Sequence, residues 1–204
     1  MISHADISTN SDRLCVVAVG ELTHDMARQV LHGKKADIVY SDPPWGPGNL
    51  KYWRTMNNES VEVNWEDFLY LFCSIVSSNT KPSSEIFVEM GCRWVDQLAE
   101  QMSLVGIQET HRIDCTYRGG AKRYPNILWH AGSEIDLEHR NGGVTMTKEV
   151  LMSVAIPGGL VFDPCCGKGM TAKCALRLDM DFVGIELNPQ RAAVALAVVE
   201  QYRR

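Results

Sequence analysis

The sequence predicts an α/β protein whose mostly parallel sheet carries helices on both faces and an antiparallel hairpin at one edge. Short runs of β-branched residues alternate with amphipathic stretches along almost the whole chain. The stretch 110–130 breaks this alternation, because two strand-like runs flank a Gly-rich connection that ends at Pro125. With 204 residues and 45% apolar content, the chain has the size of a single domain, 1–204, with a sizeable core.

Each element is predicted from its own pattern. Short apolar runs, several of them bounded by Gly, Pro or Asp, predict strands at 14–19, 37–41, 85–89, 110–117, 126–130, 160–162 and 182–185. Amphipathic stretches between them predict helices at 23–32, 65–77, 93–104, 147–155, 170–178 and 189–202, the last opened by Asn188-Pro189. We expect the first dozen residues and the loops near 46–63 and 131–146 to be mobile.

Composition narrows the classes of function. No run approaches the length of a membrane helix and the N-terminus lacks a signal-peptide pattern, so we expect a soluble cytoplasmic protein without a membrane partner. The 7 cysteines are odd in number and do not fall at metal-ligand spacing, which favours reduced thiols and no metal. A net charge of −5 argues against a protein that coats nucleic acid, although a local basic face remains compatible with it.

The first chemical motif is Asp42-Pro43-Pro44-Trp45, which directly follows the strand predicted at 37–41. Open α/β sheets place their ligands at the carboxyl ends of strands, so its location favours function. The two prolines stiffen the chain and fix the Asp42 side chain and nearby carbonyls as acceptors beside an indole. That arrangement suits an amino group on a flat ring, with Trp45 stacked on the ring; a rigid turn after a buried strand is the alternative.

The second motif is a Gly-rich bend between a strand and a helix, Asp163-Pro164-Cys165-Cys166-Gly167-Lys168-Gly169-Met170-Thr171. Gly167 and Gly169 are expected to permit close backbone approach to a ligand, beside free N–H groups of the helix that follows. The bend lacks the residues of an ATP-binding phosphate loop, which disfavours ATP. About 20 residues further on, Glu186 ends another strand, a position from which a carboxylate reaches a ribose diol.

These motifs together resemble the S-adenosylmethionine (SAM)-dependent DNA amino-methyltransferases, in the permuted beta group where the catalytic motif precedes the cofactor loop. The resemblance spans nearly the whole chain and implies a Rossmann-like methyltransferase sheet. It assigns 14–131 to the catalytic-motif half and 144–204 to the cofactor-binding half. Asp42, Pro43, Pro44 and Trp45 are then the catalytic residues.

The same resemblance implies a cofactor-binding set. The pattern Gly-Ile-Glu-Leu-Asn-Pro is similar to the family's ribose-binding strand end. Gly20-Glu21 stands where the family has an adenine-contacting Gly-Asp. Lys148 lies where a lysine of the family begins the helix before the cofactor strand. Cysteines replace the usual loop residues, which puts side-chain contacts to the methionine moiety in doubt. The implied cofactor residues are Asp163, Pro164, Cys165, Cys166, Gly167, Gly169, Thr171, Glu186, Asn188, Glu21 and Lys148.

Aspartate at the first motif position favours N6 of adenine in DNA, with the base flipped into the pocket. Methylation of cytosine N4, methylation of RNA adenine N6, and a non-catalytic nucleic-acid-binding subunit stay open. Protein glutamine methylation is disfavoured by the motif order, and a Cys165 nucleophile by the position of this cysteine inside the cofactor loop. So short a chain also implies low sequence specificity or help from a homodimer or partner subunit.

Basic residues near aromatic ones indicate where nucleic acid binds. One group accompanies Tyr117 and Tyr124 around the predicted hairpin, and a competing group follows the Asp-Pro-Pro-Trp motif. An ordinary solvated hairpin tip is the alternative for the first group. The predicted contacts are Arg112, Arg118, Lys122, Arg123, Lys51 and Arg54.

Overall fold

The computed structural model describes residues 13–57, 59, 62–119, 121–136, 140–141 and 144–202, and their side chains except those of residues 118, 119, 140, 141 and 144. One sheet of 8 strands forms the centre, in the order β1-β8-β7-β2-β3-β5-β4-β6. Its strands are β1 (Cys15–Val19), β2 (Ala36–Ser41), β3 (Thr80–Gly91), β4 (His111–Gly119), β5 (Lys122–Ala131), β6 (Arg140–Asn141), β7 (Leu160–Asp163) and β8 (Asp181–Glu186).

Five neighbouring strands of the sheet, β1, β8, β7, β2 and β3, run parallel to one another. Strand β5 is antiparallel to both β3 and β4. Helices connect the strands: α1 (His24–Val30), α2 (Pro47–Met56), α3 (Trp65–Ser78), α4 (Val95–Leu104), α5 (Val144–Val154), α6 (Met170–Arg177) and α7 (Pro189–Gln201). The predicted α/β class and the edge hairpin of β4 and β5 are therefore confirmed.

All predicted strands and helices are present, with ends that differ by a few residues, most of all at β3. The expected loop near 46–63 is wrong in part, because α2 fills most of it. Pro47 supplies a preorganised first residue, Gly46 turns the chain with a φ of 92°, and Leu50 is buried under the helix. A Pro-Gly-Asn start is typical of a turn, and burial of the inner face overrides it. The first dozen residues lie outside the described part.

The two faces of the sheet carry separate cores because side chains alternate along each strand. Residues of α1, α3 and α4 pack with Val39 and Val88 on one face. Residues of α5, α6 and α7 pack with Tyr40 and Phe87 on the other. Within the described residues, none of the helices combines the length and apolarity needed to cross a bilayer.

This topology gathers the chemical motifs at one edge of the sheet. The chain leaves β2 for α3 on one face and leaves the neighbouring β7 for α6 on the other, so a topological switch point lies between β2 and β7. Parallel α/β sheets bind ligands beside such a point. Asp42 follows β2 and Asp163 ends β7, so both motifs lie there.

Candidate active site

The Asp-Pro-Pro-Trp motif holds its acid and its indole against each other. Trp45 Nε1 donates a hydrogen bond of 2.8 Å to Asp42 Oδ1, and Trp45 N donates to Asn49 Oδ1 at 3.1 Å. The indole is half-buried and packs over Gly91 at the end of β3. One Asp42 oxygen is therefore committed to orienting Trp45, and the solvent-accessible carboxylate has a second oxygen available to a ligand.

The glycine bend after β7 is tied to the first motif through Asp163. This carboxylate is buried and accepts hydrogen bonds from Ser41 Oγ at 2.9 Å and from Cys165 N at 3.1 Å. The Thr171 hydroxyl adds a third contact. Asp163 thus fixes the loop against the end of β2, and it does not line the pocket described next.

A pocket of about 280 Å³ opens between the two motifs. Residues that follow β1, β2, β7 and β8 form its floor, and α2 and α3 form its apolar walls. The lining residues are Gly20, Glu21, Leu22, Asp42, Pro44, Leu50, Trp53, Arg54, Asn57, Val63, Asp67, Phe68, Leu71, Pro164, Cys165, Ile185, Glu186, Leu187 and Arg191. Parts of both motifs, Glu21 and Glu186 are therefore brought together.

Glu186 lies at the pocket with an oxygen available. Its Oε1 accepts a hydrogen bond of 2.8 Å from Asn188 N, whereas the nearest described cation to Oε2, Arg191 Nε, is 3.9 Å away. Asn188 itself caps α7, with its Oδ1 accepting from Arg191 N at 2.9 Å. Asn188 is not among the lining residues, so its role here is to shape the start of α7.

Helix α2 closes the pocket through polar contacts that reach across it. Arg54 forms an ion pair of 2.8 Å with Glu21, and the Arg191 guanidinium lies 4.2 Å from the centre of the Trp53 ring. Asn188 Nδ2 donates to Asn57 Oδ1 at 2.6 Å. The sequence-based prediction missed Trp53 and Asn57 because it expects a loop where α2 forms, and it also missed Arg191 on α7. The helical spacing of Leu50, Trp53 and Asn57 was the available signal.

Burial sets the electrostatics of the carboxyl groups at this edge. Desolvation raises the pKa of Asp42 to about 6, against the opposing effects of the Trp45 hydrogen bond and the Arg191 charge. Desolvation also raises the pKa of Asp163 to about 7, although it accepts several hydrogen bonds. Water reaches Asp42 through the pocket while protein surrounds its other sides. Perturbed carboxyl groups beside a cleft are typical of a functional site.

The two glycines of the bend serve helix packing. Gly169 has a φ of 80°, and an added Cβ would approach Ala195 of α7 within 2.9–3.0 Å. Gly167 has a φ of 56°, and its missing side chain leaves room for the Arg191 guanidinium. Both glycines therefore permit close approach of α7, and their close approach to a ligand stays a prediction. Cys166 is buried in the core, whereas Pro164 and Cys165 line the pocket.

Burial and the carboxylates of Asp163 and Glu186 raise the pKa of the Cys165 thiol well above its usual value. The thiol is therefore protonated at neutral pH, which makes it a poor nucleophile. Among the described residues, no group of three or more His, Cys, Asp or Glu side chains is arranged to hold a metal ion.

Three predicted ligand contacts need correction. Lys148 is exposed on α5, which packs on the sheet face opposite the core that borders the pocket, and it is not among the lining residues. Arg54 is only 8% exposed and is paired with Glu21, so it belongs to the pocket wall and not to a phosphate-binding surface. Arg112 lies near the start of β4, three strands away from β2, where Glu109 and Asp96 pair with it.

The far end of the hairpin does lie beside the motif. Tyr117 packs edge-on against Trp45, with ring centres 6.0 Å apart. Lys122 and Arg123 are exposed at the start of β5, at this same edge, and Lys51 is exposed on α2. The backbone of Arg118 pairs with Arg123, and its side chain lies outside the described atoms.

The sequence of the C-terminal part matches a known family. The family model described as DNA methylase, N6_N4_Mtase, matches residues 141–197. This segment contains the glycine bend, Glu186 and the first turns of α7. None of the curated proteins is significantly similar to the chain in sequence.

Solved structures match over most of the chain. The M1.HpyAVI–SAM complex has a TM-score of 0.66 at 14% identity, covering 90% of this chain and 100% of that one. TTHA0409 of Thermus thermophilus in complex with S-adenosyl-L-methionine has a TM-score of 0.67 at 16% identity, covering 90% and 92%. PvuII DNA methyltransferase (cytosine-N4-specific) has a TM-score of 0.68 at 13% identity, covering 96% and 93%. The chain therefore has the Rossmann-like methyltransferase fold, and its segment 141–197 is similar to the DNA methylase family.

Proposed function

We propose that this protein is a SAM-dependent DNA methyltransferase that methylates the exocyclic N6 amino group of adenine. The observation that carries the proposal is that Asp42, to which Trp45 is hydrogen-bonded, lines the same pocket as Pro164, Cys165 and Glu186. The match of residues 141–197 to the DNA methylase family supports it, as do the structural neighbours with SAM bound.

The pocket fits SAM in shape and chemistry. Its walls include the flat or apolar side chains of Trp53, Phe68 and Leu71, which suit an adenine ring. The available oxygen of Glu186 is suited to a ribose hydroxyl. When bound, SAM supplies an electrophilic methyl group on a positively charged sulfur.

Asp42 then orients the amine that is methylated. Its second oxygen accepts a hydrogen bond from the amino group, which favours a pyramidal nitrogen with its lone pair directed into the pocket. The same carboxylate takes the proton that leaves the nitrogen after methylation. Trp45 stacks on the flipped base, and its bond to Oδ1 keeps the indole and the carboxylate in a fixed relation.

The exposed end of the hairpin provides the DNA contact. Lys122 and Arg123 are placed to bind phosphates, and Tyr117 and Tyr124 are 43% and 46% exposed beside them. Tyr117 also contacts Trp45, so this surface is continuous with the base pocket.

The proposal is tested by incubating the purified protein with methyl-labelled SAM and either unmethylated DNA or RNA. Digestion to nucleosides and mass spectrometry should identify N6-methyldeoxyadenosine. Detection of N4-methyldeoxycytidine instead would show that the methylated base is cytosine. Label found only in RNA would show that the substrate is RNA and not DNA. The matched pair Asp42→Asn and Asp25→Asn separates catalysis from a general charge effect, because Asp25 is exposed on α1 and does not line the pocket. Equal transfer by both variants would overturn the assignment.

A further inference from the structure

A buried acid, Glu89, lies next to the proposed catalytic residue Asp42. It lies on β3, is 2% exposed, and accepts a hydrogen bond of 2.8 Å from the Tyr40 hydroxyl. Asn126 Nδ2 lies 3.3 Å from its second oxygen, and the Thr147 hydroxyl donates to the Tyr40 oxygen at 3.3 Å. The mechanism proposed above makes no use of this network.

The strand register puts Glu89 next to Asp42. Ser41, the last residue of β2, pairs with Val88 of β3, so Asp42 directly after β2 and Glu89 on β3 are the residues that follow this pair. Neighbouring strands are about 4.8 Å apart, and residues two apart on a strand point to the same face. Tyr40 contacts Glu89, so Asp42 extends from the same face as Tyr40 and Glu89.

Two adjacent carboxylates in a crowded site do not ionise together at low cost. Glu89 is the more buried of the two and is therefore the one that keeps its proton. Its pKa is raised to about 8 by burial, and then by the charges of Asp42 and Asp163; the contacts with Tyr40 and Asn126 act in the opposite direction. Asn126 faces Glu89 with its Nδ2, and its buried Oδ1 has no hydrogen-bond partner among the described residues. A 180° rotation of the amide would therefore present an acceptor to an acid proton on Glu89.

We propose that Glu89 is a positioning residue that holds a proton behind Asp42, so that the negative charge at the base pocket rests on Asp42 alone. This inference rests on the methyltransferase function proposed above. When Glu89 ionises, two negative charges face each other at the ends of β2 and β3, and Asp42 loses its orientation toward the amine. Activity then declines on the alkaline side.

The first test is the pH dependence of kcat/KM for methyl transfer. The natural protein should gain activity as Asp42 ionises near pH 6 and lose it above about pH 8. Glu89→Gln mimics the protonated acid, so at pH 7 it should stay within about threefold of the natural protein and lack the alkaline decline. Glu85→Gln is the matched control, because Glu85 lies on the same strand at the opposite edge and should leave the alkaline limb in place. An identical alkaline limb in Glu89→Gln overturns the inference.

The second test does not need activity. Carbon-13 NMR of glutamate carboxyl groups should show a resonance, assigned by its loss in Glu89→Gln, that titrates near pH 8. Asp42→Asn should lower that titration midpoint because it removes the neighbouring charge. A Glu89 midpoint in the ordinary glutamate range, or one unchanged in Asp42→Asn, overturns the inference. Absence of methyl transfer by a natural protein that titrates as expected would instead overturn the proposed function.

Discussion

The indole nitrogen of Trp45 donates a 2.8 Å hydrogen bond to Asp42 Oδ1, so the proposed base-stacking ring and the proposed amine acceptor form one unit. Asp42→Asn keeps an oxygen for this bond but removes the charge. We expect methyl transfer to fall by about 100-fold or more while SAM affinity stays near normal. Single-turnover methylation and calorimetric titration with SAM measure the two quantities.

The same substitution should stabilise the fold. Asp42 has a raised pKa in the folded state, so it holds more protons there than in the unfolded chain, and its contribution to stability is lost as pH rises through about 6. An uncharged amide avoids this loss. We therefore expect Asp42→Asn to raise the free energy of unfolding by about 1 kcal/mol at pH 7.5, after allowance for solvent screening. Urea denaturation at pH 5 and pH 7.5 provides the check, with the gain confined to the higher pH.

Trp53 forms part of the pocket wall, and its ring is covered by the Arg191 guanidinium. Trp53→Ala removes the flat surface proposed for the adenine ring, so SAM affinity should weaken by about tenfold. Tyr52→Ala is the control because Tyr52 is the neighbouring aromatic residue and is 53% exposed. Isothermal titration with SAM is the measurement, and equal affinities of the two variants would place the adenine ring elsewhere.

Lys122 and Arg123 are the exposed cations at the hairpin end beside Trp45. Replacing both with glutamine should weaken DNA binding. The slope of log K against log salt concentration should decrease in magnitude by about 1 for each phosphate that the variant no longer binds. Arg112→Gln serves as the control, since Arg112 is held in ion pairs with Glu109 and Asp96. Fluorescence anisotropy over a range of salt concentrations tests this, and an unchanged slope would assign the DNA contact to another surface.

Glu85 connects β3 to the open end of the hairpin, where β5 ends. It accepts hydrogen bonds from Ser133 Oγ at 2.6 Å and from Ser133 N at 3.1 Å, and lies 2.8 Å from His130 Nε2. Glu85→Ala leaves these groups unpaired, and we expect a loss of about 2–3 kcal/mol in the free energy of unfolding. Urea denaturation at pH 7.5 measures it, and a loss below about 0.5 kcal/mol would show that water replaces the carboxylate.

The protonation of His130 makes the stability of the folded protein depend on pH. Burial is the main cause of its lowered pKa, so the folded protein binds fewer protons than the unfolded chain just below pH 6.5. The stability that neutral His130 contributes is therefore present above pH 6.5 and is lost as pH falls through its folded pKa. The stability difference between the natural protein and His130→Gln should shrink between pH 7.5 and pH 5.5 in the same denaturation assay.

Local sequence patterns were sufficient to predict much of the fold and of the candidate site. The alternation of strands and helices predicted the α/β class, and the Gly-rich connection ending at Pro125 predicted the edge hairpin. The Asp-Pro-Pro-Trp string, the glycine bend and Glu186 each follow a strand, and parallel strands bring their carboxyl ends to one edge. The sequence therefore predicted that Asp42, Pro164 and Glu186 would lie near one another.

Tertiary structure decided what depends on contacts between distant segments. Helix α2 exists because Leu50 is buried and Arg54 pairs with Glu21, which outweighs its turn-like start. Burial likewise reassigned Arg54, and ion pairs with Glu109 and Asp96 reassigned Arg112. The role of Glu89 arises only from the register that puts it beside Asp42. Local sequence carries propensity and spacing, whereas burial, strand order and charge proximity exist only once the chain has folded.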